Sequence, residues 1–413
     1  VFTSVGSTTH RIQIFNDNQK AVKIADIRLG GGPSSAYKIN IDGLPTDNFQ
    51  NYELAGKDSA YIFVKVKIDP TSTGLPFIVQ DSIQFSTNGN LQKVQLAAYG
   101  QNANFLQDSI IKNSQRWTND LPYVIIGDGV LVDTNITLTI DKGARIYFHK
   151  NAQLFVRGTL KVNGALGDSV AFQSDRLEKP YFDEPGQWNS IQFLPPSRNN
   201  SINYAVIKNA VFGVIVGTIP ADPNINVTIQ NTVIKHMTVT GIFGINAQIN
   251  CYNNLIFDCG QYAFFGTYGG NYKIKHCSIG NFSSANFTRT TPSIVLADFL
   301  QDNSTNPLEA EIYNNIIWGD LEDEFNIAIK GSTPSIFFDY NLVRTKLKTL
   351  PIGNNIFNKD PLFMQPDKED YHLKNNTSPA YQKGTTLPET VFTKDLDGKA
   401  RAATPTIGCY EIP

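Results

Sequence analysis

The chain has 413 residues, 41% of them hydrophobic and only 17% charged, below the usual globular share of about 25% charged. That length allows two or three domains and a large buried core. The formal net charge of −2 gives no electrostatic basis for binding nucleic acid, and no apolar run approaches the roughly 18 residues of a membrane span.

The first residues, VFTSVGSTTH, carry no signal-peptide pattern. Either the chain is intracellular or a leader has been removed. Residues 1–105 then alternate apolar and polar residues in runs such as HRIQIFN, KIADIRL, AYIFVKVKI, SIQFST and KVQLAAYG. The clusters GGGPSS, DGLPTDN, DPTSTGLP and TNGN separate these runs. Period-two alternation between turn signals predicts a half-buried antiparallel β-sandwich of roughly seven strands. In order and content the pieces VGSTTHRIQIFND, ELAGKDSAYIFVKVKIDPTSTG and DSIQFSTNG…KVQLAAYG resemble the immunoglobulin-like (Ig-like) domains of the Hydin and major-sperm-protein type. The middle piece, from Glu53 to Gly74, has the turn Pro70 and Gly74 of that family in place. The resemblance implies a spacer or interaction domain without an active site.

Residues 106–120 read as a polar linker with one aromatic, Trp117. From 121 to 356 short strands alternate with Gly or Asn, and Gly143, Gly158 and Gly164 suit corners that need positive φ. A repeat becomes plain at AVIKNAVFGVIVG (from Ala205), TVIKHMTVTGIFG (from Thr232) and LIFDCGQYAFFG (from Leu255). Looser copies start at Cys277, Asn315 and Asn341. Aligned on Ile207, Ile234, Phe257, Ile279, Trp318 and Val343, these copies predict a solenoid whose units bury their apolar faces only by stacking. The long step between Ile279 and Trp318 carries an insertion, which such folds place in loops on one face. Residues 357–413 read as the last coils and a closing segment over the open end.

The pieces GARIYF, GTLKVNG, VAFQSD and GQWNSIQF, with the tail NNIFNKDPLF, DYHL, SPAYQKG, DLDGKAR and TIGCYE, resemble right-handed parallel β-helix proteins of bacterial surfaces, the pectate-lyase-like class. Gln382, Lys383 and Cys409 depart from the usual tail pattern without touching the fold. The whole is thus expected to be all-β: an Ig-like sandwich followed by a right-handed parallel β-helix with a C-terminal cap. The resemblance implies an exported protein, extracellular or on the outer cell surface of a bacterium, lipid-anchored through a removed N-terminus.

Sharp catalytic motifs are absent: there is no HExxH, P-loop, GxSxG or EF-hand loop. Cys251, Cys259, Cys277 and Cys409 lack zinc spacing and read as buried thiols. The densest carboxylate run, Asp320, Glu322, Asp323 and Glu324, is a weak candidate for Ca2+, with a solvated loop as the plainer reading. Lys208, Lys235, Asp258 and Arg344 share one column and read as solvated charges. Tyr204, Asn231, Asn254, His276, Asn315 and Tyr340 share another and read as a structural ladder. The DLDG turn at 395–398 reads as a turn rather than a calcium loop.

Aromatics are the remaining signal. Tyr262, Tyr268 and Tyr272 crowd one stretch, Trp318 follows two anchors later, and Trp188 precedes the regular coils. These five are the glycan-binding candidates. With no catalytic constellation, the leading expectation is a non-catalytic adhesion-like module that needs no cofactor, presenting a face to a polysaccharide or a surface protein. The first alternative is a carbohydrate-active enzyme, a polysaccharide lyase on an extended acidic glycan, for which Ca2+ would be required. A structural spacer is the second alternative. A lateral groove that joins a basic residue to two carboxylates would decide for the enzyme.

Overall fold

The structure is a computed structural model that describes residues 2, 7, 9–69, 77–331 and 333–412. The turn expected at Pro70 and Gly74 lies outside the described residues. The chain divides into two compact units, Val1–Asn104 and Phe105–Pro413. No helix among the described residues is long and apolar enough to cross a membrane.

The first unit has two four-stranded sheets. His10–Phe15, Ser59–Val66, Tyr37–Ile41 and Leu44–Thr46 form one; Asn48–Leu54, Val22–Leu29, Phe77–Thr87 and Asn90–Gly100 form the other. The pairings between these strands are antiparallel, and the isolated bridge from Phe2 to Gln101 is parallel. Alternate residues point inward, so Ile27, Ile41, Ile62 and Ile83, all fully buried, meet in one core between the sheets. Each contributes about 1.5–3 kcal/mol by leaving water.

The second unit is a stack of coils, each giving one strand to each of three parallel sheets. One coil shows the plan. Asn226–Gln230 pairs onto Gln248–Tyr252, Val233–Met237 onto Leu255–Cys259, and Thr240–Ile245 onto Tyr262–Thr267. The first sheet runs from Gln115–Trp117 to Ser335–Asp339. Part of the segment expected as a linker is therefore built into the solenoid, because Trp117, 2% exposed, fills the core and stacks on Tyr123 at 4.4 Å.

The second sheet corrects the repeat alignment. Ile207 pairs with Ile234, Ile234 with Ile256, Ile256 with Ile279, Ile279 with Ile317 and Ile317 with Val343. These six are the buried column. Phe257 and Trp318 stand one residue later. A slip of one residue moves a side chain to the opposite face of a strand, so both rings point outward.

Outward apolar residues need cover, and the C-terminal tail supplies it. Phe363, Tyr371, Leu373, Ala380, Leu396, Ile407 and Tyr410 pack on Leu255, Phe257, Ile316 and Leu342. The segment expected to close an open end thus lies along a lateral face. Gly280 makes room for it, since a Cβ there would stand 2.1 Å from the ring of Tyr371.

Candidate functional site

The corner between the second and third sheets turns through single residues in the left-handed region: Asn209 (φ 67°), His236 (φ 56°) and Asp258 (φ 49°). Asn, Asp and His enter this region more readily than other side chains. The turn thereby selects polar residues and stacks them on successive coils.

Asn209 organises a loop above this corner. Its Nδ2 donates to the carbonyl oxygens of Phe182 (3.0 Å) and Glu184 (2.8 Å). Lys208 Nζ donates to the Phe182 oxygen as well, at 3.0 Å. The residue between these two carbonyls, Asp183, is held over His236 with its own side chain largely exposed.

The tail delivers the third element. After the short turn Pro366–Lys368, Glu369 adopts φ 64° and its N–H donates to the Pro366 oxygen at 3.0 Å. The next strand, Asp370–Leu373, plants Tyr371 against Phe257 at 4.8 Å between ring centroids. Glu369 is thereby fixed beside His236.

His236 is 5% exposed. Its Nδ1 is bonded to the Asp258 carboxylate. Its Nε2 lies 2.8 Å from Glu369 Oε1 and 3.4 Å from Asp183 Oδ1, ion-pair distances at which neither contact completes a hydrogen bond of good geometry. Lys235 Nζ donates to the other Glu369 oxygen. Asp183, His236, Asp258 and Glu369 line an open groove of about 670 Å³ together with Phe257, Asp367 and Tyr371, and Lys235 stands behind Glu369.

Charge is strongly coupled here. Burial opposes ionisation of Glu369, but His236 and Lys235 outweigh it and bring the carboxyl down to about 2. Burial opposes protonation of His236, but Asp258 and Glu369 outweigh it and raise the imidazole above its ordinary value. Burial and then Lys235 lower Lys208. Burial, with Asp258 and Glu369 nearby, raises the Tyr371 phenol.

The residues expected to bind glycan scatter. Tyr272 is wholly buried, its Oη donating to the Gly269 oxygen at 2.7 Å. Trp188 is also wholly buried, stacked on Phe148 at 4.0 Å, with Nε1 donating to the Lys208 oxygen at 2.8 Å. Neither can stack on a sugar, because the inward positions of small coils demand large apolar side chains. Tyr268 is a half-buried corner residue with φ 58°. Trp318 is half-buried under Arg344, whose guanidinium lies 5.4 Å from the ring centroid. Tyr262 alone joins an outward stack, 4.7 Å from Phe265, which lies 5.2 Å from Phe243.

The acidic run does not form a metal site either. Glu324 is fully buried and takes Arg289 Nη2 at 2.7 Å together with Ser293. Asp320 takes Arg289 and the Ser283 N–H. Glu322 is paired with Lys346, and Asp323 accepts from Thr345. Asp320 and Glu324 share the Arg289 guanidinium, and Glu322 and Asp323 turn to other donors, so the point where two of the carboxylates meet is already filled by a cation of the chain.

No protein-family model matches the chain, and no curated protein does. Among solved structures it is similar to the catalytic unit of a thermostable GH87 alpha-1,3-glucanase from Streptomyces thermodiastaticus strain HF3-3. The identity is 11% over 84% of this chain and 87% of that one, with a TM-score of 0.24. It is also similar to the catalytic domain of a GH87 alpha-1,3-glucanase in complex with tetrasaccharides, at 12% identity over 77% and 67%, with a TM-score of 0.20. The expectation of a non-catalytic binding or adhesion module is corrected by the groove, which gathers Asp183, Asp258 and Glu369 around His236 and brings Lys235 to Glu369, a combination a passive contact face does not need.

Proposed function

We propose that this chain is a carbohydrate-active enzyme that cleaves an extended polysaccharide laid in the groove beside His236. The observation that carries the reading is the convergence of Asp183, His236, Asp258 and Glu369 with Lys235 on one lateral face. Breaking a glycosidic bond requires groups that hold and take protons at fixed positions. The groove offers an ionised carboxylate, a more exposed one, an imidazole oriented by Asp258, and an amine.

Charge favours hydrolysis of a neutral glycan over the lyase reaction. Asp183, Asp258, Asp367 and Glu369 outnumber Lys208 and Lys235 around the groove, the wrong sign for attracting a uronate chain. The outward stack of Phe243, Phe265 and Tyr262 supplies flat apolar rings of the kind that sugar faces pack on. The right-handed winding, the Ig-like character of the first unit and export to the bacterial surface, all implied by sequence resemblance, belong to the same proposal.

The test is incubation of the full chain with a panel of neutral and acidic polysaccharides. New reducing ends without ultraviolet absorbance support hydrolysis, and absorbance from an unsaturated uronate supports elimination. Products formed equally well by Glu369→Gln would sink the assignment to this groove.

A further inference from the structure

Three ligand-type side chains gather in the groove: Asp183, His236 and Glu369 each bring a ligand atom within 4.8 Å of the other two, with His236 Nε2 the nitrogen nearest both carboxylates. They come from a loop, a coil corner and the tail, so three separate parts of the second unit have been brought together. We propose that these three side chains bind a divalent transition-metal ion, Zn2+ foremost, with a remaining coordination position open to the groove. The inference rests on reading this groove as the working site, and it gives His236 the role of ligand there.

Four observations carry it. First, His236 is 5% exposed, and its Nε2 is buried without a hydrogen-bond partner. A buried polar atom left in that state is costly, and native structures rarely keep one without a purpose. Second, the spacing admits an ion with a small adjustment. With tetrahedral metal–ligand bonds of about 2.0–2.2 Å, neighbouring ligand atoms stand about 3.3–3.6 Å apart. The Nε2 contact to Asp183 is 3.4 Å, within that range, and the contact to Glu369 is 2.8 Å, so the Glu369 carboxylate would have to draw back by about half an ångström to share an ion with Nε2.

Third, the surroundings are those of a supported ligand set. Asp258 holds Nδ1, which directs the Nε2 lone pair into the groove, and a carboxylate on the far nitrogen is the usual support of a metal-bound histidine. Lys235 occupies Glu369 Oε2 and leaves Oε1 facing inward. Asn209 donates to the carbonyl oxygens of the residues on both sides of Asp183. Fourth, the donor set selects the ion. Imidazole nitrogen suits Zn2+ and its neighbours, whereas Ca2+ takes sets of oxygen ligands.

The experiment uses the full chain, stripped with a chelator and then titrated calorimetrically with Zn2+, Mn2+ and Ca2+ in separate runs. Co2+ substitution followed by visible absorption serves as a second readout. The expected result is one Zn2+ per chain, bound more tightly than Ca2+. Asp258→Asn should weaken it by about 10–100-fold, and His236→Asn and Asp183→Asn by more. Asn accepts the left-handed backbone at 236, and the Asp183 side chain is 68% exposed, so both variants keep the fold; unchanged thermal melting checks this.

Absence of stoichiometric Zn2+, preference for Ca2+, or equal Zn2+ affinity in His236→Asn and Asp183→Asn would overturn the inference. Glycan cleavage measured on the same samples separates the two proposals. Cleavage without bound metal, unaffected by chelation, removes the ion and leaves the enzyme. Stoichiometric Zn2+ with no cleavage of any glycan in the panel removes the enzyme and leaves the ion.

Discussion

Two histidines of the solenoid, His236 and His276, stand at coil corners with nearly the same backbone, φ 56° and 53°, and both are almost fully buried. They differ in what meets the ring. His276 Nε2 accepts from Asn314 Nδ2 at 2.8 Å and its Nδ1 faces the Gly408 oxygen at 3.3 Å, so a neutral imidazole is satisfied on both sides. His236 meets Asp258, Glu369 and Asp183. Burial, reinforced by Arg401, drives His276 well below its ordinary pKa, whereas the carboxylates around His236 overcome burial and raise it. Burial is common to both; the charge of the partners separates a scaffold residue from a candidate working one.

The sharpest way to break this contrast is to exchange the phenotypes. His236→Ala is expected to lower glycan cleavage by about 10²–10⁴-fold, while His276→Gln leaves it within about twofold, both read as initial rates of reducing-end release. Stability should behave in the opposite sense. His276→Ala leaves one Asn314 Nδ2 hydrogen without its acceptor and opens a void, while the Gly408 oxygen keeps Arg401; the cost is about 2–4 kcal/mol in denaturant unfolding.

Acid sharpens the same point. His276 stays neutral in the folded chain, whereas the unfolded chain takes up a proton there below about pH 6.5. Its contribution is therefore fully present above that pH and declines as pH falls, by at most about 1.4 kcal/mol per unit. His276→Gln should remove this part of the acid slope, and an unaltered slope would refute it. The smallest effect is expected at Tyr272→Phe, which removes one buried hydrogen bond, costs about 0.5–1.5 kcal/mol and leaves cleavage unchanged. A loss of glycan turnover there would restore Tyr272 to the binding face.

The periodic parts of this architecture are legible in the sequence. Strands, coils and the stacked column from Ile207 to Val343 follow from apolar repetition. Register is legible only to within one residue where two apolar residues adjoin, as in Ile256–Phe257 and Ile317–Trp318, since composition does not say which faces inward. That slip hid the site. Aligning Asp258 with Lys208 and Lys235 separated it from His236, although both belong to the corner column that begins at Asn209. The recurrence of Asn, His and Asp one residue after the outward column is the signal that marks this corner. Asp183 and Glu369 come from aperiodic segments whose placement depends on long-range contacts with Asn209 and Phe257, and no local pattern announces them.

Glu369 reaches the groove only because the tail folds back onto coils laid down well over a hundred residues earlier. A chain leaving the ribosome would wind the strands bearing His236 and Asp258 first, with their corner bare and the outward Phe257 still wet. Residues 363–373 complete the groove and cover that ring in a single docking step. The groove thus waits on the docking of residues 363–373, and a chain ending before Glu369 would wind its coils yet leave this corner incomplete.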